Sequence, residues 1–405
     1  MTARAGPAEE VFRDAVGGLG GAEWDRLAGD RFYSSRGWLE FCASLDGHTG
    51  GAVCVEDAGR RAAVPVSAVT RQAHTRYRWD ALLRDLGTSE VPAGVLVGPA
   101  RGYQTHILSA AQPHTGLVER LLDRLRRLPE HAAAAGLLGD APPQRPPVMA
   151  MFLSTAEAEA LRAAGVRRQP VLLGADAWFT LPDGGWEGWL DSLSAKRRSM
   201  VRRDLRRFDE AGCTVRHAPL EDVVDVAAEL QARTDERYGR RAPAEAIADS
   251  FRRQAAAAGG AARAALCCRD GRIIGYCAYL LRGRTLFLRS AGFDYTRLNG
   301  VAEYFTTVYY SPIRAAVRAG ARHVHAGIAA EDAKALRGAD LHPLWLLDLT
   351  PGSRGTDRDE PILARNAEVS ARVAALSPAV ERAWTPQARS AEQFGLARSL
   401  PSTRR

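Results

Sequence analysis

The stretch Arg263–Asp294, RAALCCRDGRIIGYCAYLLRGRTLFLRSAGFD, constrains the fold more than any other part of the chain. Three runs rich in aliphatic, aromatic and β-branched residues are separated by Asp270–Gly271 and by Arg282–Gly283–Arg284. Tight glycine turns of this kind join strands that lie side by side, so the segment reads as three consecutive strands. A helix near Gly300–Ala319 and a strand at His323–Ala326 complete the unit. Three helices precede the strands. The first is basic, runs from about Ser194 to Ala211 and is ended by Gly212; the others cover about Leu220–Tyr238 and Pro243–Ala258.

The first half follows the same plan. A helix over Phe32–Leu45, capped by Ser34 or Ser35, puts Trp38, Phe41 and Leu45 on one face. Then GAVCVEDAGRRAAVPVSAV (Gly51–Val69) reads as a hairpin about Asp57–Gly59. A helix over Leu117–Leu128, a rigid proline run at Asp140–Val148 and a strand at Val148–Leu153 follow. A helix over Ala156–Ala164 and two short strands, Pro170–Leu173 and Ala177–Leu181, complete it. Strand–turn–strand after a helix in both halves is weak internal symmetry and suggests duplication. The expected divisions are a disordered segment 1–20, units at 21–185 and 186–350, and a basic tail 351–405 with one helix near Ala364–Ala375.

Composition narrows the class. A chain of 405 residues, 46% hydrophobic and 25% charged, can bury a large core. That excludes a wholly disordered chain and a disulfide-stapled mini-protein. Its six cysteines form no CxxC and no metal-ligand spacing with histidine, so no metal is expected. No apolar h-region opens the chain and no run approaches a membrane span, which together point to a reducing cytoplasm. The net charge is +8, and it is concentrated: KRRSMVRRDLRR (Lys196–Arg207) holds seven basic residues and one acid. Val201, Leu205 and Phe208 form the stripe expected to be buried. Arg198, Arg202 and Arg206 line one flank, and Lys196, Arg203 and Arg207 line the other. Such a cluster repels itself unless an anion sits opposite; nucleic-acid or coenzyme A phosphates would both suit it.

The sharpest short pattern is Arg297-Leu-Asn-Gly300-Val-Ala302, a glycine turn feeding a helix. Unpaired backbone N–H groups and Arg297 there would favour an anion, with the small residues Gly300 and Ala302 allowing close approach. An ordinary turn before a helix would look the same.

The order strand–strand–strand–RxxGxA–helix–strand resembles the GNAT superfamily of N-acetyltransferases. Trp186–Gly212 (WEGWLDSLSAKRRSMVRRDLRRFDEAG), Ala302–Gly320 (AEYFTTVYYSPIRAAVRAG) and Ala326–Trp345 (AGIAAEDAKALRGADLHPLW) resemble, in order, motifs of its Fem-type, FemABX-like branch. The resemblance implies an α/β (α+β) fold of two GNAT-like units, each a mixed, mostly antiparallel sheet flanked by helices. It also implies an amide-forming acyltransferase. Donor phosphates would rest on Arg297, Asn299, Gly300 and Ala302, with Lys334 and Arg337 as further contacts. One of Tyr309 and Tyr310 would protonate the leaving group, and Asp294 or Glu331 would serve as base. Thr234, Tyr238 and His325 would line the acceptor pocket. His323 and His325, alternating with Val324, should share one strand face.

Two donors fit: aminoacyl-tRNA, which suits the basic helix Lys196, Arg198, Arg202, Arg203 and Arg206, and acyl-CoA, which suits the RxxGxA turn. The first is preferred, with a small-molecule or peptide amine as acceptor, in secondary-metabolite biosynthesis. A non-catalytic binding protein of the same fold is the third reading. No cofactor is expected to be tightly bound. No GxSxG, HExxH or Walker A pattern supports a hydrolase, metalloprotease or NTPase.

Overall fold

A computed structural model describes residues 21–72, 74–86, 91–352 and 359–396. The segment 1–20, expected to be disordered, lies outside the described residues. Those residues contain twelve strands: β1 (His48–Asp57), β2 (Arg60–Val69), β3 (Gly94–Val97), β4 (Leu108–Ser109), β5 (Val148–Leu153), β6 (Val171–Thr180), β7 (Thr214–Pro219), β8 (Ala262–Arg269), β9 (Arg272–Arg282), β10 (Thr285–Phe293), β11 (His323–Ile328) and β12 (Asp340–Asp348). The chain forms two compact units, one of Met1–Ala175 with His342–Arg405 and one of Asp176–Leu341.

In the first unit the strand order is β1–β2–β3–β5–β12, with β4 on β2. The β3–β5 pair is parallel and the others are antiparallel. In the second unit the order is β7–β8–β9–β10–β11–β6, with only β10–β11 parallel. Each unit is therefore an antiparallel run, one parallel step and a last antiparallel strand. The duplicated plan is visible in the topology, as the repeated hairpins suggested.

The hairpins fold as their turn residues dictate. Asp270 and Gly271 both adopt positive φ (49° and 70°) between β8 and β9, the geometry that matches strand twist. Ser194 caps the basic helix, Ala195–Glu210, by accepting from the Arg197 amide at 3.4 Å.

Several boundaries differ from the sequence reading. The strands expected at Pro170–Leu173 and Ala177–Leu181 are one strand, β6, which passes through Gly174 at a φ of 147° that a glycine accepts easily. The helix expected over Leu117–Leu128 runs from Thr115 to Ala134 and holds Pro129 inside it. The C-terminal segment has two helices, Asp359–Ala374 and Pro378–Arg389, and belongs to the first unit. It is anchored there by Asn366, fully buried. Its Oδ1 accepts from Leu172 N, and its Nδ2 donates to the Pro170 and Phe394 carbonyls, all between 2.8 and 2.9 Å. A polar side chain satisfied on every side pins a segment that composition alone reads as a tail.

Burial sets one measurable consequence. His48, at the start of β1, is 8% exposed, and burial together with the Arg101 charge lowers its pKa to about 4. Its folded pKa lies below the unfolded value of about 6.5, so the unfolded chain binds the extra proton. The stability it contributes is complete above pH 6.5 and is lost as the pH falls toward 4, on the order of 3 kcal/mol. His217, lowered to about 4 by burial and by Arg318 and Arg263, adds in the same direction. Urea midpoints measured from pH 7 to pH 4 should fall, and His48→Gln should flatten that slope.

Candidate active site

The second unit opens where its two parallel strands part. Thr285–Phe287 of β10 pair with His323–His325 of β11, yet β10 continues to Phe293 and β11 to Ile328. A β-bulge on each strand marks the divergence: Leu288/Ser290 against β9 and His325/Gly327 against β6. Bulges end pairing and re-aim side chains, and they gather beside active sites. The first leaves Arg289, half-buried, as the extra residue. After β11 comes strained backbone, with Ala329 and Ala330 both left-handed at φ 64° and 53°. Lys334, 4% exposed, donates from Nζ to the Gly327 and Ile328 carbonyls at 2.8 and 3.1 Å.

The same unit holds a buried polar lock. Tyr310 is fully buried; its hydroxyl donates to Asp204 Oδ2 at 2.7 Å and accepts from Arg337 Nε at 3.0 Å. Arg337 also pairs with Asp204 at 3.5 Å, donates to the Ala333 carbonyl at 2.8 Å and stacks 3.3 Å above the Phe305 ring. Asp204 is the single acid within KRRSMVRRDLRR. The helix buries Val201, Asp204 and Phe208, whereas Leu205, expected in that stripe, is only half-buried. An acid at i+3 takes the inner face because Arg337 waits there for it. Lys334 and Arg337, read from sequence as donor contacts, are both buried, Lys334 bonded to backbone carbonyls and Arg337 paired with Asp204.

Tyr309, 1% exposed, sits beside Tyr310 in a π-turn, Thr306–Tyr310, and its hydroxyl meets that of half-buried Tyr304 at 3.4 Å. Burial raises the pKa of both phenols, so each stays protonated. Of the adjacent pair, Tyr309 has its hydroxyl against half-buried Tyr304, whereas that of Tyr310 is held by Asp204 and Arg337. Glu331, half-buried, has no side-chain partner among the described residues.

The RxxGxA turn is already satisfied. Gly300 and Ala302 both take positive φ (69° and 68°), which turns backbone amides toward a common centre. Glu303, 2% exposed, fills that centre: it accepts from Asn299 N at 2.6 Å and Val301 N at 2.8 Å. Arg297 pairs with Asp294 at 3.4 Å. Asp294 also binds Thr296 and Arg233, and the Thr296 hydrogen bond and the Arg233 charge hold its carboxyl below the usual range. A carboxylate so engaged is a weak base.

Of the three acceptor residues, Thr234 and Tyr238 meet at Tyr295, while His325 has other partners. Thr234 Oγ1 accepts from Phe293 N at 3.0 Å, tying the helix Val224–Arg237 to β10. Tyr238 is 62% exposed, and Tyr295 lies beside it. His325 is fully buried, bonded through Nε2 to Asp176 at 2.7 Å, while Trp178 Nε1 donates to the other Asp176 oxygen at 2.8 Å. His323, in contrast, is exposed.

The basic helix offers its charge outward. Lys196, Arg202, Arg203 and Arg206 are exposed. Arg202 meets Glu187 at 3.6 Å, whereas Lys196, Arg203 and Arg206 have no ion-pair partner among the described residues. Arg198 instead turns back onto the Leu190, Asp191 and Leu193 carbonyls, and Arg207 donates to Gly300 O at 3.1 Å. Asp204, Glu303, Asp176 and Arg289 escaped the sequence reading. For Asp204 the signal was its isolation among seven cations.

Among the described residues no group of three His, Cys, Asp or Glu side chains could hold a metal, and no helix is long and apolar enough to cross a membrane. A family model, FemAB_like (peptidoglycan biosynthesis/recognition), matches residues 143–346, half of the chain. No curated protein matches it. Among solved structures the chain is similar to FemX, at 13% identity and a TM-score of 0.57, over 82% of this chain and 96% of that one. It is also similar to a conserved protein of unknown function from Bacteroides thetaiotaomicron, at 11% identity and a TM-score of 0.51, over 82% and 98%. These likenesses show a shared fold. The chain belongs to the FemAB-like family and shares the fold of FemX.

Proposed function

We propose that this protein moves an aminoacyl group from aminoacyl-tRNA to the amine of a small molecule or peptide precursor, in the cytoplasm. The observation that carries the reading is the outward face of the helix Ala195–Glu210, where Lys196, Arg203 and Arg206 stand exposed with no ion-pair partner among the described residues. Phosphates of a nucleic acid neutralise such a row and release its counterions. The amine attacks the ester carbonyl; the C–N bond forms and the bond between the acyl carbon and the ribose oxygen breaks. Tyr309, kept protonated by burial, gives its proton to the leaving ribose oxygen and regains one through Tyr304. Glu331, with no side-chain partner among the described residues, takes the proton that the amine loses. No covalent enzyme intermediate is needed.

The test supplies tRNA pools, each charged with one radiolabelled amino acid, together with an array of small amines. The expected result is enzyme-dependent transfer of label from tRNA to one or a few amines, abolished by ribonuclease treatment of the pool. Release of free thiol from acetyl-CoA with the same amines, without consumption of any charged tRNA, would replace this reading with an acyl-CoA N-acyltransferase. Inertness toward both donors would favour a binding protein.

A further inference from the structure

We infer that Glu303 is a specificity-determining residue: an internal carboxylate that stands in for a phosphate and closes the RxxGxA turn to coenzyme A. The inference rests on the proposed tRNA donor only in that it accounts for the rejection of the competing one. The turn is built to draw negative charge. Arg207 donates to the Gly300 carbonyl at 3.1 Å and Arg269 donates to the Arg297 carbonyl, so two guanidiniums border it besides Arg297 itself. Two amides, Asn299 N and Val301 N, converge inside it, and positive φ at Gly300 and Ala302 holds them there.

Such convergent N–H groups make an anion-binding concavity. Here the anion belongs to the chain. Both Glu303 oxygens are engaged, at 2.6 and 2.8 Å; Arg269 lies 3.8 Å from Oε1, and only 2% of the residue is exposed. A diphosphate arriving from solvent would have to displace a carboxylate that already makes two charge-assisted hydrogen bonds at no translational cost. The residue therefore does two things: it completes the turn and it occupies the one position a donor diphosphate would need.

Calorimetric titration with inorganic pyrophosphate and with acetyl-CoA tests this on the full chain. The wild type should show no saturable binding of either. Glu303→Ala should gain affinity for pyrophosphate by about ten-fold or more, and Arg297→Ala in that background should remove the gain. Glu303→Gln, nearly isosteric and uncharged, should show a smaller gain and keeps the test open if the alanine variant does not fold. Saturable, Arg297-dependent binding of pyrophosphate or acetyl-CoA by the wild type would overturn the inference, as would folded Glu303 variants with unchanged affinity. The donor reading fails on a different observation, absence of tRNA binding by the wild type, so the two can fall separately.

Discussion

Asp204→Ala should destabilise the protein by about 3–5 kcal/mol, roughly 10–15 °C in melting temperature, more than any other single truncation on the basic helix. The side chain is the shared acceptor of two buried donors, Tyr310 at 2.7 Å and Arg337 at 3.5 Å. Its loss leaves the Arg337 guanidinium, 3% exposed, without a counter-charge. Removing one partner of a buried pair costs far more than the pair contributes, because the remaining charge stays desolvated. Tyr310→Phe should cost less, about 1–2 kcal/mol, because Asp204 and Arg337 still face each other. Denaturant unfolding followed by circular dichroism distinguishes the cases. An Asp204→Ala variant within about 1 kcal/mol of wild type would show that the lock does not organise the unit.

The second large effect belongs to the outer face of the same helix. Reversing two exposed charges, in the double variant Arg202→Glu/Arg206→Glu, should lower tRNA affinity by about 30-fold or more at moderate salt. It should also reduce the slope of log affinity against log salt by about 2. Neither residue takes part in the buried lock, so circular dichroism and melting temperature should stay near wild type. Arg297→Ala, at a turn that Glu303 already fills, should change tRNA affinity less than about three-fold. Equal losses from both variants would mean that the turn, and not the helix, receives the phosphates.

These two predictions separate faces of one helix that its sequence presents as a single cationic block. Much of the architecture was legible. The Asp270–Gly271 turn, the runs around it and the basic helix appear where residue pattern puts them, because local turn chemistry and burial periodicity agree there. The RxxGxA turn was legible as a conformation, with positive φ at Gly300 and Ala302. What fills it was not. Glu303 follows Ala302 directly, but nothing in a linear pattern says that its carboxylate folds back onto Asn299 and Val301.

Lys334 and Arg337 illustrate the same limit. Both are cations near a site, and in sequence a cation that binds phosphate looks like one that binds carbonyls and a buried aspartate. Burial decides between them, at 4% and 2% exposed. His325 pairs across β11 and β6 with Asp176, about 150 residues earlier in the chain, a contact set by strand register rather than by local pattern. The C-terminal helices joined the first unit for a comparable reason, through Asn366 and the backbone of Pro170 and Leu172.

Equilibrium binding of the full chain to bulk tRNA and to acetyl-CoA, side by side over a series of salt concentrations, decides between the two donors. An aminoacyl-tRNA donor requires micromolar tRNA binding that falls steeply with salt and depends on Arg202 and Arg206, with no saturable binding of acetyl-CoA. Saturable acetyl-CoA binding, with only weak RNA affinity indifferent to those two arginines, would contradict it.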